Sequence, residues 1–120
     1  MVTGVKLRLK DGDYNTIQGK MKDFNDRRRS KQPLEYPSAG STFRRPAGYF
    51  AGKLIQDSGM QGATVGGARV SEKHAGFVIN GGDATARDIQ DLIAKVQAEV
   101  LGQYGVALKT EVIMIGEECD

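Results

Sequence analysis

Three groups of residues in this chain have types and spacings suited to chemistry. Ser41 follows Gly40 in a stretch punctuated by Pro33, Pro37 and Pro46, and a hydroxyl in such a loop suits a proton donor or a nucleophile. No histidine lies near it in sequence and no G-x-S-x-G elbow surrounds it, which argues against serine-hydrolase chemistry. Arg44 and Arg45 stand just before Pro46 and a predicted helix start, where a diphosphate would meet guanidinium and backbone N–H groups together. Glu111 is set beside Val112, Ile113, Met114 and Ile115. Burial there would favour its protonated form, as a general acid needs; the plainer alternative is an ion pair with a cation on a neighbouring strand.

Other features carry less. Arg27-Arg28-Arg29-Ser30-Lys31 could grip phosphates, but cations at a helix C-terminus also complement its dipole, and no aromatic side chain is interleaved to stack on bases. His74 is the only histidine, and a lone imidazole without a second ligand is not a metal site. The glycines between Gln61 and Gly82 match neither a dinucleotide fingerprint nor a Walker loop, so they read as hairpin turns and bulges.

The elements that must position these groups follow from periodicity. Val5, Leu7 and Leu9 alternate with Lys6, Arg8 and Lys10, the pattern of a half-buried strand. Asp13 caps a predicted helix with the apolar stripe Tyr14, Ile17, Met21 and Phe24. From Gln32 to Gly48 the periodicity vanishes and a long loop is expected. A short helix over Tyr49–Ile55, ended by Gly59, should turn Phe50, Leu54 and Ile55 inward. Strand pieces at Ala63–Val65, Ala68–Ser71 and Gly76–Asn80 come next. Thr85-Ala86-Arg87-Asp88 opens a helix with Ile89, Leu92, Ile93, Val96 and Val100 on one face, closed by Gly105. Val106 to Ile115 alternates as a last strand, with Val106, Leu108, Val112 and Met114 on one side. The expected fold is α+β, a small mixed or antiparallel sheet packed by about three helices.

Length and charge narrow the options. At 120 residues there is room for one domain, since domains average roughly 150 residues. A net charge of +2 is too small to make nucleic acid or a membrane surface the default partner. The single cysteine, Cys119, permits no internal disulfide and suits a reducing cytosol. No apolar run nears the roughly 20 residues of a membrane span, so a soluble, cytoplasmic protein is expected.

The run Gln32-Pro33-Leu34-Glu35-Tyr36-Pro37-Ser38-Ala39-Gly40-Ser41-Thr42-Phe43-Arg44-Arg45-Pro46, then Gly59-Met60-Gln61-Gly62 and Gly66-Gly67-Ala68-Arg69-Val70-Ser71-Glu72-Lys73-His74-Ala75-Gly76-Phe77-Val78-Ile79-Asn80, closely resembles the C-terminal part of the UDP-N-acetylenolpyruvoylglucosamine reductases. The likeness continues through Ala84–Asp88 and Gly105-Val106 to Glu111 and Gly116, and it fits the shorter variety of the family, which lacks an extra tyrosine-bearing loop. It implies a flavoenzyme of peptidoglycan precursor synthesis that uses NADPH, through bound FAD, to reduce UDP-N-acetylglucosamine enolpyruvate to UDP-N-acetylmuramate. It also implies that the FAD lies in N-terminal domains outside this chain. Residues 1–10 would then be the end of the preceding FAD domain or a linker strand, 11–116 the substrate-binding domain and 117–120 a tail. By motif position Ser41 is the implied proton donor and Glu111 the residue that holds the substrate carboxylate and stabilises the enolate. Gly40, Arg44 and Arg45 are the implied substrate-binding residues, with Arg44 standing where lysine is common. Competing expectations are a stand-alone nucleotide-sugar binding module without catalysis, and an RNA-binding domain using Arg27 to Lys31.

Overall fold

The computed structural model describes residues 2–116, so the expected tail, with Cys119, lies outside the described residues. The chain divides into two compact units, the first ending at Ser30 and the second beginning at Lys31.

In the first unit, residues 2–10 form no strand, and Val2, Val5, Leu7 and Leu9 are exposed. The alternation is real, but a strand exists only through its ladder, and none of the described residues pairs with this segment. Helix α1 covers Tyr14–Lys31. Asp13 starts it as expected: its Oδ2 accepts from the Thr16 backbone N–H and hydroxyl, each at 2.9 Å. These bonds hold the Asp13 carboxyl below its ordinary value, the backbone N–H contributing most. The stripe Tyr14, Ile17, Met21 and Phe24 is present, yet α1 buries none of its residues.

The second unit is built on a four-stranded antiparallel sheet in the order β1-β4-β3-β2. Its strands are β1 (Ser38–Ser41), β2 (Thr64–Val65), β3 (Ala68–Val70) and β4 (Phe77–Asn80). The last three fall where the sequence places them. Strand β1 lies inside the expected loop: Ser38 pairs with Ile79 and Ser41 with Phe77, so three steps of β1 oppose two of β4. Gly40 absorbs the extra residue at φ 84°, a left-handed conformation that glycine adopts without a Cβ clash. The β2–β3 turn needs glycine for a different reason. A Cβ on Gly67 would lie 2.0 Å from the Gly82 carbonyl oxygen, so the turn presses against the chain leading out of β4.

Helix α2 (Ala51–Asp57) starts later than expected. Ala51, Leu54 and Ile55 are buried, while Phe50 stays outside at 62% exposure. Helix α3 (Ala86–Tyr104) matches its expectation closely: Thr85 and Asp88 form a reciprocal capping box and Gly105 closes the helix in a left-handed conformation. Leu92, Ile93, Val96 and Val100 are buried against β2, β3 and α2. The Thr85 backbone N–H, then its hydroxyl, hold the Asp88 carboxyl below its ordinary value.

The segment expected as a final strand over 106–115 makes only one bridge, Phe43 to Thr110. The Arg44 N–H donates to the Lys109 carbonyl at 2.8 Å and the Glu111 N–H to the Thr42 carbonyl at 2.9 Å. The partner chain turns away at Arg45-Pro46, and proline has no N–H to continue a ladder. The alternation is nevertheless respected as far as Val112, with Leu108 buried and Lys109 and Glu111 exposed; Met114, expected inward, is exposed.

Candidate functional site

The bulge at Gly40 ends β1 at Ser41, on the rim of a cleft of about 620 Å³. Beyond Ser41 the chain alternates as extended backbone does: Thr42 is buried, its Oγ1 accepting the Val78 N–H at 2.9 Å, and Phe43 is buried in the core. Arg45 then returns to the cleft, whose other walls carry Phe50, Lys53, Lys73 and His74. Ser41 and Arg45, both expected as functional, are therefore brought together.

Arg44 and Glu111 are not part of that lining. Their backbones join the same short pairing of 42–44 with 109–111, and their side chains meet each other at 3.5 Å, about 61% and 62% exposed. Glu111 thus lacks the apolar burial on which its expectation as a protonated acid rested. The plainer alternative, an ion pair with a cation across a strand pairing, is what the fold adopts. An exposed pair of this kind contributes little to stability, about 0–1 kcal/mol.

His74 lies in the β3–β4 turn, as expected, and its ring is held on several sides. The Gly76 N–H donates to its Nδ1 at 3.1 Å, and its ring stands edge-on to Phe77 with centroids 5.0 Å apart. A Cβ on Gly52 or Gly76 would lie 3.3 Å or 3.0 Å from the imidazole Cε1. Because Nδ1 accepts, the neutral ring carries its proton on Nε2.

The cleft lining carries three cations, Arg45, Lys53 and Lys73, and one carboxylate, Glu72. Lys53 pairs with Asp57 one turn along α2, and Lys73 pairs with Glu35 at 3.3 Å. The Glu35 carboxyl is held below its ordinary value first by its own backbone N–H and, more weakly, by Lys73. Arg45 has a different arrangement: its guanidinium lies 4.0 Å from the Phe50 ring centroid and its Nε donates to the Tyr49 carbonyl at 3.3 Å. Nothing local in the sequence brings Lys53, Lys73 and Phe50 together, and Phe50, expected inward, lines the cleft instead, because their convergence is tertiary. The only local trace was the i, i+4 spacing of Lys53 and Asp57.

The glycine turns pack closely against the chain itself. A Cβ on Gly66 would lie 2.4 Å from the Asp88 carboxyl carbon, and Gly67 abuts Gly82 and Ala84. Both positions are held without a side chain because the chain's own atoms lie so close.

Comparison with known proteins agrees with the motif reading. The family model described as UDP-N-acetylenolpyruvoylglucosamine reductase, C-terminal domain, matches residues 32–115. A UDP-N-acetylenolpyruvoylglucosamine reductase of Pediococcus pentosaceus is 59% identical over 118 residues, 98% of this chain and 39% of that protein. One from Clostridium perfringens is 58% identical over the same shares. The chain therefore spans about two fifths of the length of the curated relatives it matches. The crystal structure of UDP-N-acetylenolpyruvylglucosamine reductase (MurB) from Thermus caldophilus superposes with a TM-score of 0.74 at 33% identity, covering 88% of this chain and 37% of that one. No helix among the described residues is long and apolar enough to cross a membrane. With its motifs, its sheet order and its relatives in agreement, the chain belongs to the C-terminal-domain family of the UDP-N-acetylenolpyruvoylglucosamine reductases.

Proposed function

We propose that this chain is the substrate-binding and proton-donating part of a cytoplasmic, FAD-dependent reductase that converts UDP-N-acetylglucosamine enolpyruvate to UDP-N-acetylmuramate with NADPH, in peptidoglycan precursor synthesis. The observation that carries its own share is Ser41 at the rim of a cleft that also holds Arg45, Lys53 and Lys73. FAD and NADPH belong to the length of the relatives that lies beyond this chain. In this reading residues 11–116, whose larger compact unit begins at Lys31, belong to the substrate domain, and residues 1–10, whose Val5, Leu7 and Leu9 stand exposed, are the end of the preceding flavin domain or a linker from it.

In this reading the cations hold the diphosphate and Ser41 faces the reacting carbons. The Ser41 O–H bond breaks as a C–H bond forms on the substrate carbon that carries the developing negative charge, and the alkoxide regains a proton from water in the cleft. A serine is a weak acid, so only a strongly basic acceptor such as a carbanionic carbon can take its proton. Gly40 sets the angle at which Ser41 leaves β1. Glu111, bonded through its backbone to Thr42, sits across from the residue next to Ser41. Its pairing with Arg44 keeps that guanidinium at the strand pairing, where a substrate carboxylate can exchange for Glu111.

A chimera tests this directly. This chain replaces the matching 39% of the Pediococcus pentosaceus protein, and NADPH oxidation driven by the enolpyruvyl substrate is followed. Ser41→Ala is expected to lower kcat by about 10²–10⁴-fold, the range for a lost proton-transfer group, with KM little changed. Retained turnover would remove Ser41 from the mechanism.

A further inference from the structure

Phe50 is an apolar side chain that the fold leaves in water at a functional cleft. Helical spacing would place it inward, yet it ends as the residue before α2, with extended backbone at φ −113° and ψ 120°, and the residue is 62% exposed. Phe43, the other phenylalanine lining the cleft, is buried and contributes to the core. An exposed phenylalanine in a cleft marks a binding surface more readily than a packing one.

The ring is also prepared for stacking. The Arg45 guanidinium lies over it at 4.0 Å from the centroid, and the Arg45 Nε is tied to the Tyr49 carbonyl, so the cation under the ring is itself anchored. Lys53 and Lys73 are lining residues of the same cleft. A flat apolar platform beside Arg45, Lys53 and Lys73, in a lining that also carries Glu72 and in which both lysines can exchange exposed carboxylate partners for a phosphate, matches a ligand with a planar base at one end and a diphosphate next to it. The volume of about 620 Å³ is of the size that holds a small-molecule ligand.

We propose that Phe50, backed by Arg45, is the stacking platform for the nucleobase of a nucleoside diphosphate, and so a specificity-determining residue of this cleft. The inference rests on the reading of the cleft as the nucleotide-sugar site, and deepens it by assigning one end of the cleft to the base. Phe50 is thereby a binding residue and takes no part in proton transfer.

The 120-residue chain, titrated with UDP and separately with inorganic pyrophosphate by calorimetry, provides the test. Phe50→Ala is expected to weaken UDP binding about tenfold to a hundredfold, to leave pyrophosphate binding unchanged, and to be rescued by Phe50→Tyr. In NMR spectra the uracil H5 and H6 protons should move upfield and show transferred contacts to a selectively labelled Phe50 ring. Equal losses for UDP and pyrophosphate, an unchanged UDP affinity, or no UDP binding by the parent chain would overturn the assignment. Proton donation is read from turnover of Ser41→Ala in the chimera and base stacking from the UDP affinity of Phe50→Ala in this chain, so a failure of one is distinguishable from a failure of the other.

Discussion

Helices α1 and α3 are nearly equal in length, 18 and 19 residues, and both begin at a side-chain cap, Asp13 for α1 and the Thr85–Asp88 box for α3. Both also carry apolar residues at helical spacing. Yet α3 buries Leu92, Ile93, Val96 and Val100, whereas α1 buries nothing and leaves Tyr14, Ile17, Met21 and Phe24 exposed. Periodicity tells which face of a helix is apolar; only a partner surface turns that face into stability. For α3 the partner is the β2–β3 hairpin together with α2. The α1 stripe, like Val5, Leu7 and Leu9 before it, is suited to cover by the portion of the relatives that extends beyond this chain.

The largest effect that would break this contrast lies in α3. Leu92 is fully buried, and Leu92→Ala is expected to cost about 2–5 kcal/mol by removing contacts and leaving a cavity. Urea unfolding followed by circular dichroism measures it. A loss below about 1 kcal/mol would mean that α3 is no better supported than α1. A smaller effect comes from the cap: Thr85→Ala removes the hydroxyl that accepts the Asp88 N–H at 3.1 Å, and should cost about 1 kcal/mol in the same assay.

What could be read in advance follows the same division between local and non-local causes. The α3 capping box and its closing Gly105, and the β2–β3 turn at Gly66-Gly67, are local signals, and all of them hold. Strand β1 leaves no sequence signal because Ser-Ala-Gly-Ser has no apolar alternation; it is a strand only because β4 offers it a ladder. The 106–115 segment is the converse, having the alternation but pairing only through the bridge of Thr110 to Phe43 among the described residues. At the site, sequence motifs single out Ser41 and Arg45, and the fold brings both to one cleft. They could not show that Arg44, one residue away, turns to Glu111, or that Phe50 stays outside the core.

The two caps also predict a shared response to pH with different outcomes. Asp13 and Asp88 both have carboxyl groups lowered by hydrogen bonds in the folded chain. Their contribution is therefore present above the unfolded value of 3.8 and is lost as the pH falls through the lower folded values. Between pH 5 and pH 2, roughly the window in which paired carboxylates take up protons, the urea midpoint should fall, and Asp88→Asn should flatten that fall. Asp13→Asn should instead leave the midpoint unchanged and raise amide exchange only over the first turns of α1. If it lowers the global midpoint as much as Asp88→Asn does, α1 is part of the cooperative unit and the contrast fails.

The smallest expected effect is the most discriminating. Phe24 is 62% exposed in α1, so Phe24→Ala in the 120-residue chain removes almost no buried area and should change stability by less than about 0.5 kcal/mol. In the chimera with the remainder of the Pediococcus pentosaceus protein, the same substitution should cost about 1–3 kcal/mol, because a covered phenylalanine loses transfer free energy that an exposed one never gained. Thermal melts of both proteins with and without the substitution measure the difference. Equal and negligible losses would show that the α1 stripe stays uncovered even in the longer chain. Equal and large losses would show that it is already covered within these 120 residues. Only the asymmetric result ties the burial of α1 to chain that lies beyond them.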